Sequence, residues 1–227
     1  MSIIKTIYNH LNFIKAIAIL QNNTIAPTTL ITLCSFIFVA NVAVFVGSVR
    51  RDRKGIRVAK WIKIKLQERN HKVYFIDPME LDLPLLDRMY KEMDNPSQKL
   101  AELRNKIKDA EGYISVTPEY NRSTSSALKN TLDYFLEEYY FKPSAIVSYS
   151  PGMFGGINAA QQLRMIFAEL GAPTIPSSFA IPYVHKIFDE NGNLIDELYN
   201  KRVGKFLDEF EWYISALTNQ RAHGTPY

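Results

Sequence analysis

The sequence predicts an α/β protein, a three-layer sandwich on a five-stranded parallel sheet of order 2-1-3-4-5. Three observations lead there. Five short runs are rich in Val, Ile, Phe and Tyr, and they recur along the chain from residue 41 onward. Segments of helical periodicity separate them. The runs themselves are apolar throughout rather than alternating, as expected for parallel strands covered on both faces. Right-handed crossovers leave few topologies for such a chain, and five strands favour that order.

The elements follow in sequence. VAVFV (42–46) is the first strand and ends at Gly47. IRVAKWIKIKLQER (56–69) places Val58, Ile62 and Leu66 on one stripe, with charge elsewhere, and reads as a helix. HKVYFID (71–77) is a second strand, followed by a proline-bearing loop with LDLPLL (81–86). Ser97 is placed to cap a helix over 98–110 whose Leu100, Leu103 and Ile107 are in step. GYISVT (112–117) is a third strand, and 127–140 is read as one helix stopping before Pro143. SAIVSYS (144–150) is a fourth strand. The helix over 157–170 ends at Gly171, a C-cap signal. A fifth strand lies near 174–180, and 187–196 reads as a hairpin-like excursion on an Asn191-Gly192 turn. The last helix, roughly 197–217, turns Val203, Phe206, Phe210 and Leu217 inward, and 221–227 is expected as a loose tail.

Of the 227 residues, 47% are hydrophobic and 22% charged, enough apolar material for one sizeable core. The domain is expected over 41–220, behind an apolar N-terminal extension, 1–40. The lone Cys34 forms no internal disulfide and points to a reducing, cytoplasmic compartment. No CxxC or His/Cys cluster suggests a metal. DENGN is not a calcium loop, because Gly192 comes too early in it. The net charge of +4 arises in residues 1–51, which contain Lys5, Lys15, Arg50 and Arg51 and no acid. The remainder is balanced, so no nucleic-acid partner is expected. Residues 28–46 form a run about as long as a membrane span. Its second half is the buried first strand, which argues against a span. The segment is read as an overlong start of the reading frame or an extension of another role.

Ligands of such a sheet bind beyond the carboxyl ends of the strands, at the switch point between strands 1 and 3. Three unusual loops meet there. GSVRRDRKGIR (47–57) offers a sharp turn at Gly47, the Ser48 hydroxyl, the Arg50 and Arg53 forks and a helix N-terminus, which together form a phosphate cradle. A solvated basic face is the plainer reading of the same residues, above all of Lys60, Lys63 and Lys65. TPEYNRS (117–123) can read the edge of a flat heterocycle with its backbone and with Asn121 and Ser123, while one hydroxyl caps the next helix. An ordinary capped turn accounts for only one of those residues. SPGMFGG (150–156) lets backbone approach a ligand closely and points amides at a developing negative charge. A mononucleotide with a planar head fits all three loops, and FMN is the natural candidate.

GSVRRDRKGIRVAKW, TPEYNRSTSSALKNTLDY and KPSAIVSYSPGMFGGINAAQQLR together resemble the NADPH-dependent FMN reductase family, which includes the yeast-type quinone reductases. The resemblance covers about residues 41–185. It implies a flavodoxin-like fold, non-covalent FMN and a homodimer or homotetramer with the flavin near a subunit interface. By that resemblance Ser48, Arg50 and Arg53 hold the phosphate. Pro118, Glu119, Tyr120 and Asn121 line the isoalloxazine, and Ser150, Gly152, Gly155 and Gly156 form the facing loop. Helix 127–140 and residues 161–164 lie near the partner subunit. The family pattern usually has Pro-Gly where this chain has Ser125-Ser126, and it does not normally carry anything like residues 1–40.

The implied activity is that of an oxidoreductase. NADPH or NADH passes a hydride to FMN, and a small-molecule acceptor such as a quinone, azo compound or flavin then takes the electrons. No protein nucleophile is required, and the sequence has no Ser/His/Asp or Cys/His signature. His10, His71, His185 and His223 are read as bystanders, with only His185 following a strand end. Two other classes remain open at this point. An electron carrier of the flavodoxin type is usually strongly acidic, unlike this body. A flavin-binding regulatory protein would bind without turnover.

Overall fold

The computed structural model describes residues 38–189 and 192–227. Cys34, nearly all of the expected extension and Asn191 lie outside the described residues. Five strands form one parallel sheet in the order β2-β1-β3-β4-β5. They are β1 (Asn41–Val46), β2 (Lys72–Ile76), β3 (Gly112–Pro118), β4 (Ser144–Tyr149) and β5 (Thr174–Ile181). The expected topology is therefore borne out.

Alternation within each strand builds two cores, one on each face. Val42, Val44 and Val46 of β1 face one side, with Ile114, Val116, Ala145 and Val147. That side is covered by α1 (Gly55–Glu68), through Val58, Ile62 and Leu66, and by a C-terminal helix. Ala43, Phe45, Tyr113 and Ile146 face the other side and meet the remaining helices. In chain order those are a single turn, α2 (Pro78–Leu81), then α3 (Gln98–Asp109), α4 (Ser126–Asp133) and α5 (Ile157–Glu169); the C-terminal helix is α6 (Leu198–Arg221). Ser97 caps α3 as expected, its Oγ accepting from Leu100 N at 3.3 Å. Gly171, with φ +67°, ends α5.

Three expectations change. The helix read over 127–140 stops at Asp133 and resumes only as a 3-10 turn, Glu137–Tyr139. Tyr134, Phe135 and Tyr139 are all buried. Phe135 and Tyr139 are in step with Leu128 and Leu132 and Tyr134 is not, so the break lets Tyr134 be buried beside them. The last helix runs four residues beyond 217, and Ile214 rather than Leu217 completes its buried stripe. The tail is anchored: Arg221 Nη1 donates to Phe141 O at 2.7 Å, and the Tyr227 ring sits 4.9 Å from that of Phe141. Of the expected excursion over 187–196, the pairing of Phe188 with Leu194 is present.

Candidate functional site

The carboxyl ends of β1, β3, β4 and β5 surround a cavity of about 310 Å³. The β1–α1 loop supplies Ser48, Arg50, Asp52, Arg53 and Lys54; the exit of β3 supplies Pro118, Glu119 and Tyr120. Tyr149, Ser150 and Pro151 come from the end of β4, and Val184 and His185 from a 3-10 turn after β5. The three loops singled out in the sequence thus converge on one space.

Two glycines make the cradle possible by close approach. A Cβ on Gly47 would stand 2.5 Å from Val116 O, so only glycine lets the loop leave β1 against β3. A Cβ on Gly55 would fall 1.9 Å from the Tyr149 hydroxyl, which therefore rests on the first turn of α1. Ser48 Oγ is 2.9 Å from Tyr120 Oη. Burial pushes the Tyr149 phenol well above its ordinary value. These hydroxyls are neutral hydrogen-bonding groups beside a helix N-terminus.

The two arginines of the loop differ. Arg53 forks onto Asp77, at 2.5 and 2.6 Å, and its Nη1 also donates to Ser48 O at 2.8 Å. Asp77 is buried, caps α2 through Met79 N at 3.0 Å, and ties the end of β2 to the cradle. The Arg50 guanidinium is exposed and makes no hydrogen bond or ion pair among the described residues. One fork is built into the scaffold and the other is free.

In the second loop, Pro118, Glu119 and Tyr120 line the cavity and Asn121 does not. Tyr120 and Ser123 exchange backbone hydrogen bonds at 2.9 and 3.0 Å around Asn121 and Arg122, whose φ values are +50° and +70°. That is a tight turn with both central residues left-handed, where Asn is favoured. Glu119 spans to α5: its carboxylate accepts from Asn158 N at 2.9 Å and Asn158 Nδ2 at 3.0 Å. The negative charge there complements the helix N-terminus. Ser125 is the hydroxyl that caps α4, accepting from Leu128 N at 3.1 Å and donating to Gly47 O.

In the third loop, Ser150 lines the cavity and Gly152 lies exposed beside it. Gly155 and Gly156 are buried with φ +62° and +82°. A Cβ on either would approach backbone of Pro182 or Tyr149 to 2.9 Å, so the pair lets the loop lie against β4 and β5. Tyr149, Asp77 and His185 were missed as site residues. Their signals were modest: a tyrosine ending an apolar strand, an Asp-Pro cap after β2, and a histidine just beyond β5.

The family model for NADPH-dependent FMN reductase matches residues 40–186. The chain belongs to that family. It is 30% identical over 184 residues to a quinone reductase of Pseudomonas putida, covering 78% of this chain and 95% of that one. It is 32% identical over 180 residues to a 2-hydroxy-1,4-benzoquinone reductase of a Burkholderia species, covering 76% and 95%. Among solved structures, FerB of Paracoccus denitrificans, a flavoenzyme NAD(P)H:(acceptor) oxidoreductase, superposes with a TM-score of 0.66 at 25% identity, over 78% of this chain and 98% of that one. The fold of this FMN reductase is accordingly flavodoxin-like, and the chain is an NAD(P)H-dependent oxidoreductase that uses FMN. The residues fit that cofactor: the unpaired Arg50 guanidinium, the Ser48 and Tyr120 hydroxyls and Lys54, which precedes the first turn of α1, all line the cavity. The β3 exit and the Ser150 strap form its walls. Among the described residues no helix is long and apolar enough to cross a membrane, and no group of His, Cys, Asp or Glu could hold a metal.

Proposed function

We propose that the cavity holds FMN with its phosphate toward Arg50 and the first turn of α1, and its ring between Pro118–Tyr120 and Ser150–Pro151. The single observation that carries this reading is the free Arg50 fork at a helix N-terminus, within the same cavity as both ring-facing loops. Arg53 acts one step back, holding the cradle's shape through Asp77 and Ser48 O. Glu119 fixes the β3 exit to α5, and Asn121 sets the turn that brings the Tyr120 hydroxyl to Ser48. Gly155 and Gly156 give the Ser150 loop its course.

When bound, FMN supplies hydride acceptance from NAD(P)H and donation to a second substrate. The chain's own residues orient it, neutralise its phosphate and leave the side toward His185 open for the two substrates in turn. Quinones are the acceptor class this reading favours, in keeping with the P. putida and Burkholderia relatives. Met153, Phe154 and Ile157, exposed apolar side chains around the start of α5, are the surface on which a second copy would pack, giving a homodimer or homotetramer. A cytoplasmic location suits an enzyme fed by NAD(P)H. The test is an absorption spectrum of the full-length protein before and after anaerobic NADPH, followed by a quinone. Bound-flavin bands that bleach and then return support the reading. A colourless protein that takes up no FMN overturns it, and bands that never bleach make it a flavin-binding protein without turnover.

A further inference from the structure

We propose that His185 is the proton donor to the quinone in the second half of the reaction; this rests on the function just proposed. Two-electron reduction of a quinone takes one hydride and one proton. The hydride comes from NAD(P)H by way of the flavin, and the proton needs a separate source at the mouth of the cavity.

The cavity offers few. From the β1–α1 loop it receives three cations that stay charged near neutrality, Arg50, Arg53 and Lys54, and one carboxylate, Asp52. The β3 exit brings Glu119, whose oxygens are bound by Asn158 and the first turn of α5, and Tyr120, which is hydrogen-bonded to Ser48. The β4 end brings Tyr149, whose burial resists ionisation. That leaves the imidazole of His185, an exposed side chain with no hydrogen bond among the described residues. Imidazole is the group suited to exchanging a proton near neutral pH.

Its position is fixed rather than casual. The 3-10 turn Val184–Lys186 is laced to the Ser150 strap: Val184 N donates to Ser150 O at 3.1 Å, and Tyr183 N to Gly152 O at 3.2 Å. Lys186 N closes the turn onto Tyr183 O at 2.7 Å. On its own turn the imidazole and the Tyr183 ring stand T-shaped, with centroids 6.5 Å apart, and Lys186 Nζ lies 5.4 Å over the Tyr183 ring. The histidine therefore lines the cavity from a tethered turn, with no hydrogen bond to its ring nitrogens among the described residues. As the quinone takes the hydride, one of its oxygens becomes a phenolate. A His185 N–H bond breaks, an O–H bond forms, and the neutral imidazole regains its proton from solvent.

The test compares two acceptors in the wild type and in His185→Gln. Ferricyanide accepts electrons one at a time and needs no proton; a benzoquinone needs one. In the variant the quinone rate should fall about a hundredfold relative to the ferricyanide rate of the same preparation. The wild-type quinone rate should decline towards alkaline pH, and the variant should lose that limb. The second readout needs no turnover. In holoprotein with ¹⁵N-labelled histidine and no NAD(P)H, added benzoquinone should shift the His185 ring signals. An unchanged acceptor ratio, or ring signals indifferent to quinone, overturns the proposal. Failure of the underlying reading looks different: the wild type would then not oxidise NADPH with either acceptor.

Discussion

The two ends of the sheet handle charge in opposite ways. At the amino ends of the strands, three buried or half-buried ionic groups among the described residues all have partners. His71 accepts from Ala40 N at 3.1 Å through Nδ1 and lies 2.9 Å from Glu211 through Nε2. Arg69 pairs with both Asp208 and Glu211. Lys142 donates to the carbonyls of Lys108 and Glu138 at 2.7 and 2.8 Å, meeting the exposed end of α3. Those groups close the fold. At the carboxyl ends, Arg53 is treated in the same way, yet Arg50 and His185, in the same cavity, are left open. Unspent polar groups beside a helix N-terminus contribute nothing to holding the chain together. Their placement makes sense as binding capacity, which is how a site differs from the scaffold beneath it.

The largest expected effect probes the scaffold. Asp77→Ala leaves the nearly buried Arg53 fork without its carboxylate, with only Ser48 O to accept from it, and should cost about 3–5 kcal/mol in urea denaturation. A loss of under about 1 kcal/mol would mean that the pair is not what shapes the cradle. A smaller effect is expected at the opposite end. Burial pushes the Glu211 carboxyl up, but the hydrogen bonds from His71 and Arg69 outweigh it and hold the group below its usual value. A depressed carboxylate stabilises the fold above its unfolded value, and that contribution is lost as pH falls through the folded one. Glu211→Gln should thus destabilise by about 1–2 kcal/mol at neutral pH and by progressively less as the pH falls below the ordinary carboxylate range. An equal loss at neutral and acid pH would show that the charge is not what matters. The smallest effect sharpens the site. Asn121→Gly keeps the left-handed turn, so stability should change by only a few tenths of a kcal/mol, about the difference between these residues at such positions. FMN affinity should be unchanged; a tenfold loss would make Asn121 a direct ligand.

Local patterns were legible in the sequence, and long-range pairings were not. The strands, the stripe of α1 and the Ser97 cap each depend on neighbours within a few residues. The convergence of the three loops follows from the strand order. The bond between Arg53 and Asp77 joins residues twenty-four apart, and that between Glu119 and Asn158 joins residues thirty-nine apart. Neither can be told from a free side chain by spacing alone. Asn121 has the composition of a ligand and the backbone of a turn, and only its positive φ separates the two. The break after Asp133 was hidden because the aromatic run that causes it also fits a helix pattern.

The most direct test of the central claim, that Arg50 and the α1 N-terminus form the open phosphate site, is to compare FMN with riboflavin. Dissociation constants would be measured by flavin fluorescence on the full-length apoprotein and on Arg50→Ala. The account predicts that FMN binds the wild type far more tightly than riboflavin. It also predicts that Arg50→Ala weakens FMN by about 1.5–3 kcal/mol while leaving riboflavin nearly untouched. Equal affinities for FMN and riboflavin, or an FMN affinity indifferent to Arg50, would contradict it.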